Sequence, residues 1–279
     1  MIPIPNPDSA FSVADWVELA VATTEQILSK TRISRLIEQQ TGVEPEEAFL
    51  SDVWRELSVR EKLYVQQPFK VDSLSVEICA DFSAKIPYMT CLLMSLLGVG
   101  RTRRKTAKLF ERMTAVAVKK YLCGDAVVFG WPVEAGGRSS IKDRVRELAG
   151  RLNERFAEPP RAEYKDRGVD VVGWKPFGEP RSNQIVVLLQ CAAGQDWRYK
   201  TTELPIGSWE QYIRWAHNPI TAFAVPCIIS DALWHDVSRE AGILFDRVRI
   251  INLISHETLD NSLEKELARW VCAELSNTG

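Results

Sequence analysis

The run from Ile185 to Leu189 (Ile-Val-Val-Leu-Leu) narrows the folds open to this chain more than any other stretch. Five successive apolar residues, three of them β-branched, leave a strand with no polar face. Such a strand must be covered on both sides and sits centrally in a sheet. A turn rich in Pro and Gly separates it from an earlier strand, Val169 to Trp174, so the two read as a hairpin. Centring that hairpin on Pro180 pairs Asp170 with Gln190, with Cβ atoms about 4.5–5.5 Å apart. Alternation then turns Gln190 and Ala192 to the side of Asp170 and Cys191 to the other side, and a one-residue slip would undo the pairing.

The rest of the chain changes character near residue 130. Before it, the patterns are helical. Ser12 to Asp15 resembles a capping box opening a helix with Trp16, Leu19, Val21 and Ile27. Residues 31–41 form a second helix, stopped by Gly42. Residues 46–57 form a third, and Ser58 to Glu61 caps a short fourth. Ile86 to Gly100 is too short for the ~18–20 residues of a membrane span and reads as a buried helix. Arg101 to Tyr121 completes the region. A linker rich in Gly and Ser, 131–140, follows. Beyond it come a helix from Ile141 to Phe156, further strands at 222–229 and 243–251, helices at 209–216 and 231–241, and a last helix over 257–275. The expected fold class is therefore α/β: a helical domain over 1–130, then an α/β domain over 140–279 with a mixed central sheet. The 46% apolar content and nine Trp supply cores for both and exclude a disordered chain. The six cysteines form no CxxC pair, so reduced thiols in a cytoplasmic protein are expected rather than a zinc module.

Asp170 calls for chemistry, because a lone carboxylate interrupting an apolar strand is costly. A divalent cation would remove that cost, Mg²⁺ preferring one or two carboxylates with water and phosphate oxygens. Gln190, emerging from a doubly buried strand, would mark the edge of the site. The alternative is purely structural, with Asp170 capping a turn and Gln190 a satisfied sheet-edge amide.

A helix with an acidic residue, then Gly168-Val169-Asp170 on a strand, a hairpin, and Gln190-Cys191-Ala192 ending the next strand is similar to the PD-(D/E)XK nuclease superfamily, with its restriction-endonuclease-like fold. The segment Gly168 to Trp197, with Phe245-Asp246-Arg247, also resembles uncharacterised bacterial members. The resemblance covers about 141–251. It implies phosphodiester hydrolysis of DNA or RNA, in a bacterial defence or DNA-processing setting, with Mg²⁺ or Mn²⁺. It maps the first acid onto Asp170, the second onto Gln190 and the lysine onto Ala192, so two of three positions depart from the pattern. It further implies a metal held by Asp170, Gln190, the Cys191 carbonyl and a helical acid, Glu154 in preference to Glu147. Lys200, ahead of Lys175, would replace the motif lysine. The competing reading is a catalytically silent subunit of the same fold that binds nucleic acid or a protein partner.

Between Arg101 and Lys120 stand eight basic residues and one acid, Glu111, in a chain of net charge −2. Arg101, Lys105, Lys108 and Arg112 recur at helical spacing. With Arg103 and Arg104 they are the expected nucleic-acid contacts, a solvated face or an acidic protein partner being the alternatives. No phosphate-loop motif or Gly-x-Ser-x-Gly elbow is present, and His217, His235 and His256 form no spaced pair. Asp246 and Arg247 read as an internal ion pair.

Overall fold

The computed structural model describes residues 2–25, 27–98, 103–130, 140–158, 167–254 and 259–277. In chain order the helices are α1 (Ala10–Ala20), α2 (Lys30–Thr41), α3 (Glu47–Leu63), α4 (Lys85–Leu97), α5 (Arg103–Leu122), α6 (Ile141–Arg151), α7 (Ile206–Tyr212), α8 (Asp231–Ala241), α9 (Arg247–Leu253) and α10 (Asn261–Asn277). The strands are β1 (Ile27–Ser29), β2 (Phe69–Val71), β3 (Ser75–Ile78), β4 (Asp125–Val128), β5 (Arg155–Phe156), β6 (Val171–Lys175), β7 (Ile185–Cys191), β8 (Ile213–Arg214), β9 (Ile220–Ala224) and β10 (Ile243–Phe245). The chain divides into two compact units, one of residues 1–100 with 247–279 and one of residues 101–246. The expected boundary at 130–140 thus falls inside the second unit, and most of the expected linker lies outside the described residues.

In the first unit α1 packs on α3 and α4, and α4 packs on α9 and α10. The apolar run expected as a buried helix is α4, buried from Pro87 to Met94. Gly42 ends α2 with φ +76°, a left-handed stop that suits glycine. Two capping expectations shift. Helix α1 starts earlier, with the Ser9 hydroxyl accepting from the Ser12 N–H. Ser58 caps nothing, because α3 runs through it and its hydroxyl donates to the Trp54 carbonyl at 2.8 Å. This unit is also not purely helical: β1, β3 and β2 form an antiparallel sheet in that order. Strands of three or four residues carry too little alternation to show in sequence.

At the centre of this unit four charges are buried together. Asp15 and Glu18, three apart on α1, meet Arg60 of α3 and Arg247, the first residue of α9. The Arg60 Nη1 lies 2.5 Å from Asp15 and 2.7 Å from Glu18, and the Arg247 Nη2 lies 2.9 and 3.0 Å from the same oxygens. Tyr88 donates to Glu18 at 2.6 Å, Ser95 to Asp15 at 2.6 Å, and Arg247 Nε to the Tyr64 hydroxyl at 3.1 Å. Arg247 is thus the partner of Asp15 and Glu18, where the sequence had paired it with Asp246. Burial pushes the Asp15 carboxyl up, but Arg247 and Arg60 outweigh it and hold it below its ordinary value.

The second unit is built on a five-stranded mixed sheet ordered β10-β9-β7-β6-β4. Strands β4, β6 and β7 are antiparallel neighbours, while β9 and β10 run parallel to β7. As expected, β7 is central. Its pairing with β6 joins Val171 to Leu189 and Lys175 to Ile185, the register of a hairpin centred on Pro180. One face carries a core of Val145, Leu148, Leu152, Val172, Trp174, Leu188 and Trp209, drawn from α6, the sheet and α7. Helix α5 packs along β4, β6 and β7. A side chain at Gly173 would collide with Val118 and Leu122 of α5, so glycine sets how closely helix and sheet approach. The expected strand at 243–251 is shorter: β10 stops at Phe245, and α9 takes up the apolar residues from Val248 to Ile251.

Removing one member of the buried charge set strands the others. Arg247→Met is expected to destabilise the protein by about 3–5 kcal/mol in denaturant melts. Because Asp15 is depressed in the folded state, its pairing stabilises fully above the ordinary carboxylate range. That contribution should be lost as pH falls below about 4, and the loss should vanish in Asp15→Asn.

Candidate functional site

Helix α5 brings charged side chains to the start of β6. Glu111, Thr114, Val118 and Leu122 follow one another at helical spacing on the face that meets the sheet. Val118 and Leu122 lie over Gly173. Glu111 is seven residues before Val118, about 10 Å along the helix. Asp170 is three before Gly173, about 10 Å along the strand. The two acids therefore reach the same level of the sheet, and both lie against Gly130. A Cβ placed on Gly130 would stand 2.5 Å from the Glu111 Oε2 and 2.7 Å from the Asp170 Oδ1. The missing side chain leaves room for both carboxylates at one point.

The lysine at this point is Lys108, three residues before Glu111. Its Nζ is 2.6 Å from the Glu111 Oε2 and donates to the Gly130 carbonyl at 2.6 Å. Glu111 is buried, and Lys108 is exposed over only 14% of its side chain. The Asp170 Oδ2 accepts from the Cys191 N–H at 2.7 Å, and the Asp170 N–H donates to the Leu189 carbonyl at 2.9 Å. The strand end thus fixes both the backbone and the carboxylate of Asp170. The Cys191 thiol is held well above its ordinary pKa, first by burial and then by Asp170 and Glu111. It is a neutral thiol beside two carboxylates, unsuited to nucleophilic or thiolate-ligand work, and it shares the side of the Asp170 carboxylate, where the expected alternation had turned it away.

Gln190 stands beside Asp170 in register but turns to other partners. Its Nε2 donates to the Glu203 Oε2 at 3.0 Å, next to Gly168, where φ is +76°. A carboxylate only accepts, so Glu203 dictates which way the amide points. The Gln190 Oε1 is buried with no hydrogen-bond partner among the described residues. Ala192, at the motif's lysine position, is buried among Phe223, Val225 and Leu244. A lysine there would enter an apolar core.

The other expected site residues have partners of their own. The Glu154 carboxylate accepts from the Asn183 N–H at 3.2 Å and the Ala216 N–H at 3.0 Å. Asn183 precedes β7, at the opposite end of that strand from Gln190, so Glu154 does not join Asp170. Glu147 pairs with Arg151 at 2.8 Å. The Lys200 Nζ is 4.0 Å from Asp196, and Lys175 donates to the Cys123 carbonyl. Of the basic stripe, Lys105 is exposed, Arg112 is half-buried, and Lys108 is turned inward onto Glu111. Arg101 lies outside the described residues, as do the side chains of Arg103 and Arg104. Sequence reasoning passed over Glu111, Gly130 and Glu203. The signal for Glu111 was present: it is the single acid of a basic helix, in phase with that helix's apolar stripe.

The donors at Gly130 are all oxygen: two carboxylates and a backbone carbonyl. No group of three or more His, Cys, Asp or Glu suited to a metal occurs among the described residues. Two carboxylates nevertheless suffice for Mg²⁺, which completes its shell with water and phosphate oxygens.

No family model and no curated protein matches the chain. Among solved structures, the restriction endonuclease FokI overlays with a TM-score of 0.21 at 10% identity, over 91% of this chain and 46% of that one. FokI bound to DNA overlays with a TM-score of 0.22 at 9% identity, over 93% and 47%. The chain spans about half the length of either. No helix among the described residues is long and apolar enough to cross a membrane.

The raised pKa of the half-buried Cys191 thiol can be read chemically. With native protein at pH 8, Cys123 and Cys272, both exposed, should alkylate with iodoacetamide while Cys191 stays unmodified by mass spectrometry. Adding denaturant should open Cys191 to the reagent.

Proposed function

We propose that the chain is a metal-dependent nuclease with a restriction-endonuclease-like fold, hydrolysing phosphodiester bonds of DNA or RNA. The observation that carries this reading is the convergence of the Glu111 and Asp170 oxygens on one point beside Gly130, with Lys108 at hand. The catalytic set is thereby Asp170, Glu111 and Lys108, with Gln190, paired to Glu203, outside it. Asp170 and Glu111 would hold Mg²⁺ or Mn²⁺. An ion held there would supply a water of lowered pKa and offset charge on the scissile phosphate. The Cys191 N–H fixes the angle of the Asp170 carboxylate, as a pre-organised ligand requires. Lys108, delivered from α5, takes the role that Ala192 cannot fill, stabilising charge that develops on the phosphate. Lys105, exposed one turn earlier on α5, is placed to meet the nucleic-acid backbone. Six free cysteines fit a reducing cytoplasm, and a bacterial defence or DNA-processing role follows the family resemblance.

Plasmid, single-stranded DNA and RNA incubated with the protein should be cut in Mg²⁺ or Mn²⁺ and left whole in chelator. Asp170→Asn and Glu111→Gln should each lower the rate by about 10²–10³-fold or more, the scale of losing a pre-organised charge at a reacting phosphate. Cutting that survives Asp170→Asn would overturn the assignment. Nucleic acid bound tightly by a wild type that never cuts, in either metal, would establish the silent-subunit reading instead.

A further inference from the structure

Resting on that reading, the geometry points to Lys108 as a resident cation that divalent metal must displace, so that metal and substrate phosphate bind cooperatively. The Lys108 Nζ touches the same Glu111 oxygen, Oε2, that converges with Asp170 beside Gly130. Its other contact, the Gly130 carbonyl, belongs to the residue whose missing side chain opens that space. The ammonium therefore engages the very donors a metal ion would use. With Lys108 in place, the two carboxylates and the ammonium sum to one negative charge; without it, two. A divalent ion drawn to Glu111 must take that oxygen from the lysine, which costs a charge-assisted hydrogen bond at short range.

The displaced ammonium needs a new acceptor. Lys108 is a side chain of α5 with its stem half-buried, so the head can swing without moving the helix. The acceptor supplied by the reaction is a phosphate oxygen. Metal entry would thus hand Lys108 from Glu111 to substrate, and phosphate would lower the cost of metal entry. Coupling of this kind is reciprocal: substrate tightens metal exactly as much as metal tightens substrate. With metal in solution but no substrate, or substrate but no metal, the site stays largely in its lysine-closed state.

Calorimetric titration of Mn²⁺ into nucleic-acid-free protein tests this. Lys108→Met keeps the apolar stem and removes the charge. It should bind Mn²⁺ at least about tenfold tighter than wild type, the scale of one charge-assisted hydrogen bond. Lys108→Gln, whose amide can still donate to the Gly130 carbonyl, should tighten binding similarly and guards against a folding defect. Lys108→Arg should stay close to wild type. With Ca²⁺ as a titrant that supports binding, a short oligonucleotide should tighten metal binding to wild type by about tenfold and barely affect Lys108→Met. Inorganic phosphate in place of the oligonucleotide separates a free anion from a nucleic-acid backbone as the recipient of the ammonium. Equal Mn²⁺ affinity in wild type and Lys108→Met, with Glu111→Gln abolishing binding, would overturn the displacement while leaving the metal site standing. No Mn²⁺ binding by any of these proteins would overturn both.

Discussion

The close approach of α5 to the sheet is the constraint on which the second unit depends. Gly173 lacks the side chain that would strike Val118 and Leu122, so the helix lies directly on β6. From that contact, the rise of helix and strand carries Glu111 and Asp170 to a common level, where Gly130 leaves space for both. Two absent side chains thus decide whether two carboxylates meet. The energetic burden is real, because a buried carboxylate and a half-buried one repel across a medium of lowered dielectric. Lys108 offsets it at Glu111 and the Cys191 N–H at Asp170, each through a short hydrogen bond.

The first unit solves a related problem differently. Asp15, Glu18, Arg60 and Arg247 sum to no net charge and are nearly excluded from solvent. Such a set contributes little over well-packed apolar residues, but it penalises any arrangement that separates its members. Those members come from positions far apart in sequence, and Arg247 is the first residue after the chain leaves the second unit. The cluster therefore selects which C-terminal segment completes the N-terminal helices. In the first unit charge is neutralised within one buried set; in the second, Lys108 bonds the carboxylate that meets Asp170 beside Gly130.

Much of the fold was legible. The hairpin register, the central position of β7, the buried helix α4, the bounds of α8 and the left-handed stop at Gly42 all follow from local patterns. The small sheet of the first unit was not legible, because three-residue strands show no usable period. Nor was the continuity of α3 through Ser58, whose hydroxyl bonds its own helix in place of capping a new one. At the site, Asp170 stood out as a charge in an apolar strand. Its neighbour did not: parity placed Gln190 beside it, yet the Gln190 amide answers to Glu203 while the Asp170 carboxylate lies against Gly130.

The amino-acid sequence by itself determined the elements, the sheet's central hairpin and the presence of one unexplained acid. These depend on interactions between residues close in the chain, where periodicity and turn chemistry act. Tertiary structure alone decided which helix supplies the second acid and the lysine. Glu154 is nearer to Asp170 in sequence, but it spends both oxygens on backbone N–H groups at the other end of β7. Glu111 is 59 positions away and arrives through packing. Helix-on-sheet contact is set by the volumes of side chains that meet in space, and no local pattern records which glycine will lie beneath which turn of a distant helix.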